Sequence, residues 1–296
     1  MNIAYLISAH TDPQQLKRLI AALHPEAEYF VHIDRKSCLD DFTRLVPWPN
    51  VHFIPDRVDV VWGTMVEVTY QINLLRAAVE WPDKEFQHIF FLSGLDYPLL
   101  SPQAITRWLQ ERPGEEHLTA YCMDTPLLSE AQRTNYTVPR PWCRWRRGAA
   151  ALRRLCKAAG LRKPLSFEVE GERWHLYKGS AWWCISQQLG VYILDRYDHT
   201  PAIRRYFADS FGPAETLVPT IVMNHPQWRG RCHEHKGEYP GLAALTPLHF
   251  IDYHPVIKVL DLTDYDRLVA SGKLFCRKVV SGKSDTLVEK LRSRNG

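Results

Sequence analysis

Sulfur chemistry is scarce in this 296-residue chain. Its seven cysteines, an odd number, are scattered at Cys38, Cys122, Cys143, Cys156, Cys184, Cys232 and Cys276. No C-x-x-C pair occurs, which excludes a zinc ribbon and a thioredoxin motif. Cys122, Cys184 and Cys276 lie in apolar runs where a buried, reduced thiol is expected, and a reducing cytosol fits. Long apolar runs are also missing: stretches such as 88–92 and 190–194 fall far short of the ~20 residues that span a bilayer. Met1-Asn2-Ile3-Ala4-Tyr5 shows no basic leader or cleavage site, so no signal peptide is expected. With 10 Trp, 13 Tyr and 11 Phe the chain does not lack aromatics, and disorder is excluded.

Several catalytic signatures are absent. Neither G-x-G-x-x-G nor G-x-x-x-x-G-K-[ST] occurs, which removes Rossmann cofactor enzymes and P-loop NTPases. H-E-x-x-H and G-x-S-x-G are missing as well. Asp-x-Asp, the usual metal-holding spacing of sugar-nucleotide transferases, occurs only at Asp264-Tyr265-Asp266. That segment opens a predicted helix, where acidic residues answer the helix dipole. Cys232-His233-Glu234-His235 offers contiguous ligands without a distant second pair. It is read as a solvated loop, with a metal hydrolase as the rival.

The charge present is unevenly distributed. Net charge is +4, yet the stretch 140–163 holds nine basic residues and no acidic one, so without it the remainder is −5. Leu152, Leu155 and Leu161 give this stretch a partial apolar face, as in a solvated amphipathic helix. Equally, the stretch suits contact with an anionic acceptor, such as a charged glycan or a lipid-linked diphosphate at a membrane surface, and Trp142 and Trp145 beside Arg144 and Arg146 suit interfacial anchoring or sugar stacking. A nucleic-acid-binding module is the rival from another class, although the acidic body would repel phosphates outside this patch.

Strand and helix patterns alternate through the first half. Strands are predicted over 2–8, 29–33, 51–54, 88–92 and 118–122, and helices from Asp12-Pro13, over 63–79 and from Ser101-Pro102. This implies an α/β fold with a mostly parallel central sheet and helices on both faces. Ligands bind such sheets at the carboxyl ends of strands, where Ser8, His10, Asp34 and Asp96 fall. Residues 124–178 lose the pattern among Pro126, Pro139, Pro141 and Pro164. A strand over 181–186, helices over 187–197 and 214–223, an edge strand over 249–253 and a helix over 263–270 with Thr263 and Asp266 at capping-box spacing follow. One domain, 1–296, with a basic insertion at about 124–178, is expected.

Three segments carry the chemistry. Phe91-Leu92-Ser93-Gly94-Leu95-Asp96-Tyr97-Pro98 sets a carboxylate in a tight turn beyond a buried strand. There Asp96 either bonds the turn's N–H groups or faces a ligand. Gly179-Ser180-Ala181-Trp182-Trp183 joins small residues to two indoles, suited to stacking a sugar or to core packing. Gly212-Pro213-Ala214-Glu215-Thr216-Leu217 presents a carboxylate at a helix start, where Glu215 taken alone reads as a first-turn dipole residue.

With Val31-His32-Ile33-Asp34-Arg35-Lys36-Ser37 and Leu274-Phe275-Cys276-Arg277-Lys278, these segments resemble the core-2/I-branching β-1,6-N-acetylglucosaminyltransferase family, which also contains the peptide O-xylosyltransferases. The resemblance runs from about residue 2 to residue 280. It implies a GT-A-like fold and an inverting, metal-independent glycosyltransferase using a UDP-sugar, with no cofactor. Glu215 matches the catalytic base, and Lys278 with Arg277 the diphosphate-binding cations that replace a metal. His254 or Lys258 would be a second basic partner. Asp34 matches the uridine contact, and Ser8, His10, Trp62 and Gly63 would line the same pocket. Asp96, Tyr97, Ser180 and Trp182 would lie near the sugar and acceptor. GlcNAc is the expected donor sugar, with xylose transfer as the alternative. The expected acceptor is a glycan or lipid-linked glycan in bacterial surface-polysaccharide synthesis, and no nucleic acid partner is expected. The expected location is cytoplasmic, with peripheral contact at the inner face of the membrane through 140–163.

Overall fold

Side chains of the central strands alternate between two helical layers. The computed structural model describes residues 1–140, 146–253 and 256–295, with backbone alone at positions 146, 147 and 149. Its first strands are β1 (Ile3–Ala9), β2 (Glu28–Ile33), β3 (Val51–Phe53) and β4 (His88–Ser93), followed by β5 (Asp96–Pro98) and β6 (Thr119–Cys122). Then come β7 (Ser166–Val169), β8 (Glu172–His175), β9 (Tyr177–Gly179) and β10 (Cys184–Ile185). The last are β11 (His233–His235), β12 (His249–Ile251) and β13 (Phe275–Arg277).

The main sheet has the order β10-β4-β1-β2-β3, parallel except for β10. Tyr5, Tyr29 and Phe90 stack on one face, with ring centroids 5.4 and 5.2 Å apart. They are covered by Leu16, Leu19 and Ile20 of the helix Pro13–Ala21 and by Ile105 and Leu109 of the helix Pro102–Gln110. Ala4, Leu6, Phe30 and Phe91 point to the other face. There they meet Val68, Ile72 and Leu75 of the helix Met65–Val79 and Leu189 and Ile193 of the helix Gln187–His199. Burial on both faces explains why these strands read as nearly continuous apolar runs. Asp12 and Ser101 cap the helices Pro13–Ala21 and Pro102–Gln110, each with Pro at the first helical position.

Four expectations need correction. β6 does not extend the main sheet. It is the middle of a second sheet, β11-β6-β9, so His233–His235 is a strand paired with β6 and not a loop. Within that strand Glu234 is held by Arg229 and Lys236. Residues 124–178 are not patternless: they contain the helices Glu130–Thr137 and Arg146–Ala158 and the hairpin β7–β8. Each element is short and proline-flanked, which hides its period. The capping box near 263 is formed by Asp261 and Asp264, opening a 3-10 turn over Leu262–Asp264 before the helix Tyr265–Ala270. The helix expected over 214–223 begins instead with a 3-10 turn, Pro213–Glu215, and becomes α-helical over Leu217–Met223. Cys184 and Cys276 are buried free thiols, and Cys122 is half-buried. Among the described residues, no helix is long and apolar enough to cross a membrane.

The third sheet, β12-β13-β5, sits at the carboxyl end of β4, and β5 follows β4 after two residues. Where the second sheet meets the helix Leu217–Met223, Gly179 makes a close approach: a Cβ there would lie 2.6 Å from the Thr119 carbonyl and 2.9 Å from Pro219 Cγ. Gly179→Ala is therefore expected to cost about 1–3 kcal/mol, read as a lower urea midpoint at an unchanged m-value.

Candidate functional site

The turn after β4 is fixed by one carboxylate. Asp96 is fully buried and opens β5, directly opposite Arg277 on β13. Its Oδ2 accepts the Ser93 N–H at 2.7 Å and lies 3.1 Å from His249 Nε2 on β12. Its Oδ1 accepts from Arg277 Nη1 at 3.0 Å. Burial pushes the carboxyl up, but His249 and Arg277 outweigh it and hold Asp96 below its ordinary value. The Arg277 guanidinium in turn lies 4.7 Å over the Trp182 ring, which stacks on Phe91 at 5.8 Å.

Beyond Arg277 the positive charge is open. Among the described residues Lys278 has no ion-pair partner, and burial and the adjacent Arg277 lower its pKa. His10, just past β1, is lowered by burial, with Asp34 opposing and Arg277, Lys278 and Lys36 reinforcing. Asp34 is buried at the end of β2, where it accepts the Lys36 N–H at 3.0 Å and pairs with Lys36 Nζ at 3.2 Å. Asp34, His10, Arg277 and Lys278 therefore share one electrostatic environment at the carboxyl ends of β1 and β2.

A second carboxylate is set by the segment that follows Gly212. Gly212, in the left-handed region at φ 57°, turns the chain into the 3-10 turn that carries Glu215. Gln71 braces that turn through the Ala214 carbonyl at 3.4 Å. Thr220 ties the following helix to β9, accepting the Tyr177 N–H at 3.0 Å. These ties bring Lys178 of β9 onto Glu215, where Nζ donates to Oε2. Lys178 is 5% exposed and Glu215 31%. Burial opposes the Lys178 charge, but Glu215 reverses this and holds the amine above its ordinary value. Tyr253 feels charges from both groups. Burial and Glu215 raise its hydroxyl to about 12, while Arg277 and Lys178 pull it down.

Residues 3–240 match the sequence model of the family described as Core-2/I-Branching enzyme. The chain belongs to that family. Xylosyltransferase 2 of Pan troglodytes is 23% identical over 76% of this chain and 25% of its own length. Beta-glucuronosyltransferase GlcAT14B of Arabidopsis thaliana is 26% identical over 93% of this chain and 62% of its own. The chain thus spans less than two thirds of either relative. Mouse xyloside xylosyltransferase 1 aligns over 93% of this chain and 97% of its own with a TM-score of 0.35 and 10% identity. The α/β architecture with its mostly parallel central sheet agrees with the fold class expected from the sequence.

Not every residue predicted from this family resemblance reaches the site. Tyr97 faces away, because neighbours on a strand point to opposite sides. Its ring packs with Val279 and Leu287 and lines a separate cavity of about 450 Å³ with Lys17, Arg18 and Arg292. Lys258 is engaged by both oxygens of Asp264 at 2.8 Å. Ser180 is buried, its Oγ accepting the Trp182 N–H at 3.1 Å. Ser8 is half-buried near the end of β1, opposite Ser93 of β4. Trp62 and Gly63 belong to the Glu215 group: Trp62 meets Phe211 edge-on at 6.1 Å, and Gly63 donates to Glu67 at 2.6 Å. His254, Trp142, Arg144 and Trp145 lie outside the described residues, as do the side chains of Arg146 and Arg147.

Lys178, His249, Glu67 and Arg140 were not singled out as site residues from the sequence. Glu67 looks like a first-turn dipole residue. Yet burial pushes it up to about 7, with the Gly63 amide and Arg140 opposing and Glu215 reinforcing. His249, a lone histidine in an apolar edge strand, was the most findable of the four.

Asp96 links the site to stability. A carboxyl depressed by folding contributes stability above its unfolded pKa of ~3.9, and loses that contribution as pH falls through the folded value. Asp96→Asn is expected to cost roughly 3 kcal/mol at pH 7 and to flatten the fall in stability below pH ~4. Urea unfolding across pH measures both.

Proposed function

We propose that the chain is an inverting glycosyltransferase moving a sugar from a UDP-sugar to a glycan hydroxyl, with Glu215 as base and Arg277 and Lys278 in place of a metal ion. The observation that carries this reading is a carboxylate held by a buried lysine, Glu215 on Lys178, with Tyr253 feeling both Glu215 and the Arg277 cation. In this reaction Glu215 takes the acceptor hydroxyl proton as that oxygen bonds the anomeric carbon. The bond from that carbon to the diphosphate oxygen breaks, and UDP departs with the electron pair. Fixed positive charge at Arg277 and Lys278 stabilises the departing oxygens. Asp96 positions Arg277 by charge and contact, His249 in turn holds Asp96, and Asp34 and His10 are the proposed nucleotide contacts.

The proposed donor sugar is GlcNAc and the proposed setting bacterial surface-glycan assembly, in the cytoplasm or at its membrane face. The names of the relatives make xylose and glucuronic acid the alternatives to include in a UDP-sugar hydrolysis screen. Glu215→Gln is expected to keep UDP affinity within about twofold while transfer falls roughly 10²–10⁴-fold. Calorimetry and UDP-release assays read the two, and retained transfer would remove Glu215 as the base. Turnover undiminished by EDTA is expected, whereas a strict manganese requirement would overturn the role given to Arg277 and Lys278.

A further inference from the structure

The Glu215 group continues into a site with unspent positive charge. Arg140 and Arg153 converge on Phe211, their guanidinium carbons 4.8 and 5.8 Å from its ring centroid. Arg140 Nη1 and Arg153 Nε are buried without a hydrogen-bond partner. Among the described residues neither arginine pairs with a carboxylate. Arg153 bonds only the neutral Asn135 side chain, at 2.9 Å.

Nearby acids are otherwise occupied. Asp209 gives its carbonyl to the Arg140 backbone N–H at 2.6 Å, but its carboxylate to Lys163 at 2.7 Å. Glu67, the one acid that Arg140 feels, accepts the Gly63 N–H. Burial and Arg153 both lower the Arg140 pKa, as expected of like charges held together without a counterion. The backbone leaves room for this guanidinium: Gly63 has φ +74°, and a Cβ there would lie 2.8 Å from Arg140 Nη1.

An aromatic platform adjoins the pair. Trp62 is 67% exposed, and the Arg140 guanidinium lies 5.8 Å from its ring. Exposed indole beside a planar donor fork is the surface that a sugar ring bearing an anion would match. Phe211, over which both guanidiniums lie, directly precedes the Gly212 turn that carries Glu215, which sets this surface beside the carboxylate proposed as the base.

We propose that Trp62, Arg140 and Arg153 form the acceptor subsite for an acidic saccharide, its ring on the indole and its carboxylate, sulfate or phosphate on the two guanidiniums. The assignment rests on the glycosyl-transfer reading above.

The test is binding of the UDP-saturated full chain to a glycan array that pairs uronic-acid, sialylated, sulfated and phosphorylated saccharides with their neutral counterparts. Binding to acidic members at least tenfold above neutral ones is expected. Arg140→Gln and Arg153→Gln should each abolish that preference. If Arg140→Gln fails to fold, Arg153→Gln, on a partly exposed helix position, carries the test. Equal binding to both sets, no binding to acidic members, or a preference surviving both substitutions overturns the proposal. The last outcome would place the attraction on the exposed basic helix instead. UDP calorimetry on the unaltered chain separates the two readings. Failure to bind UDP refutes the transferase assignment, whereas UDP binding without acidic preference refutes only the acceptor assignment.

Discussion

A carboxylate with no exposed surface ties the third sheet to the end of the first. Desolvating an ion costs several kcal/mol unless close partners offset it. Asp96 is compensated from three strands at once: the Ser93 amide at the end of β4, His249 on β12 and Arg277 on β13. Each partner is held by this requirement as firmly as it satisfies it. Gln15 adds a bond to the Asp96 carbonyl at 3.0 Å, drawing the first helix onto the same turn. The position of Arg277 at the carboxyl end of the parallel strands is thus a consequence of burying Asp96.

Charge is divided between the two groups of residues in a way that suits the proposed transfer between a diphosphate and a hydroxyl. In one group Arg277 has a partner and Lys278 beside it has none, leaving net positive charge near His10 and Asp34. In the other, Glu215 is matched by Lys178 and loosely surrounded by Tyr253, Tyr239 and Tyr136. Hydroxyls raised by burial stay neutral, so they add dipoles to that group without adding charge. The net charge of +4 therefore says little about the site, because its cations come from positions 140, 153, 178, 277 and 278, scattered through the chain.

The main sheet was legible because both faces are buried and its helices carry conventional caps at Asp12 and Ser101. Asp34 and Asp96 were legible as acids ending apolar strands, where a charge is costly unless it bonds the turn or meets a ligand. Tyr97 was misjudged although the information was present: next to an inward Asp96, a strand period of two sends it to the other face. Lys178 is a different case. It stands 37 residues before Glu215, and long-range ties such as the Thr220 bond between helix and strand bring the two together. Arg140 was visible only as part of a basic run, because composition cannot separate a guanidinium packed on Phe211 from solvated ones on the following helix. Short elements between prolines, such as Glu130–Thr137, draw their order from packing and leave little period to read.

The Lys178–Glu215 pair also bears on turnover in the proposed reaction. A lysine in contact stabilises the carboxylate and so opposes proton transfer to it. Its contribution is to orient the carboxylate and to hasten loss of the proton afterwards. Once Glu215 carries the acceptor proton, Lys178, only 5% exposed, is left without its counter-charge. An unpaired buried ammonium is costly, so the protonated state is driven to release its proton and restore the pair. The step that loads the proton must then be driven from the other group, where the departing diphosphate gains negative charge against Arg277 and Lys278. Forward transfer and resetting of the base are thereby assigned to the two separate groups, and Tyr253, which responds to Glu215, Arg277 and Lys178 together, marks the line between them.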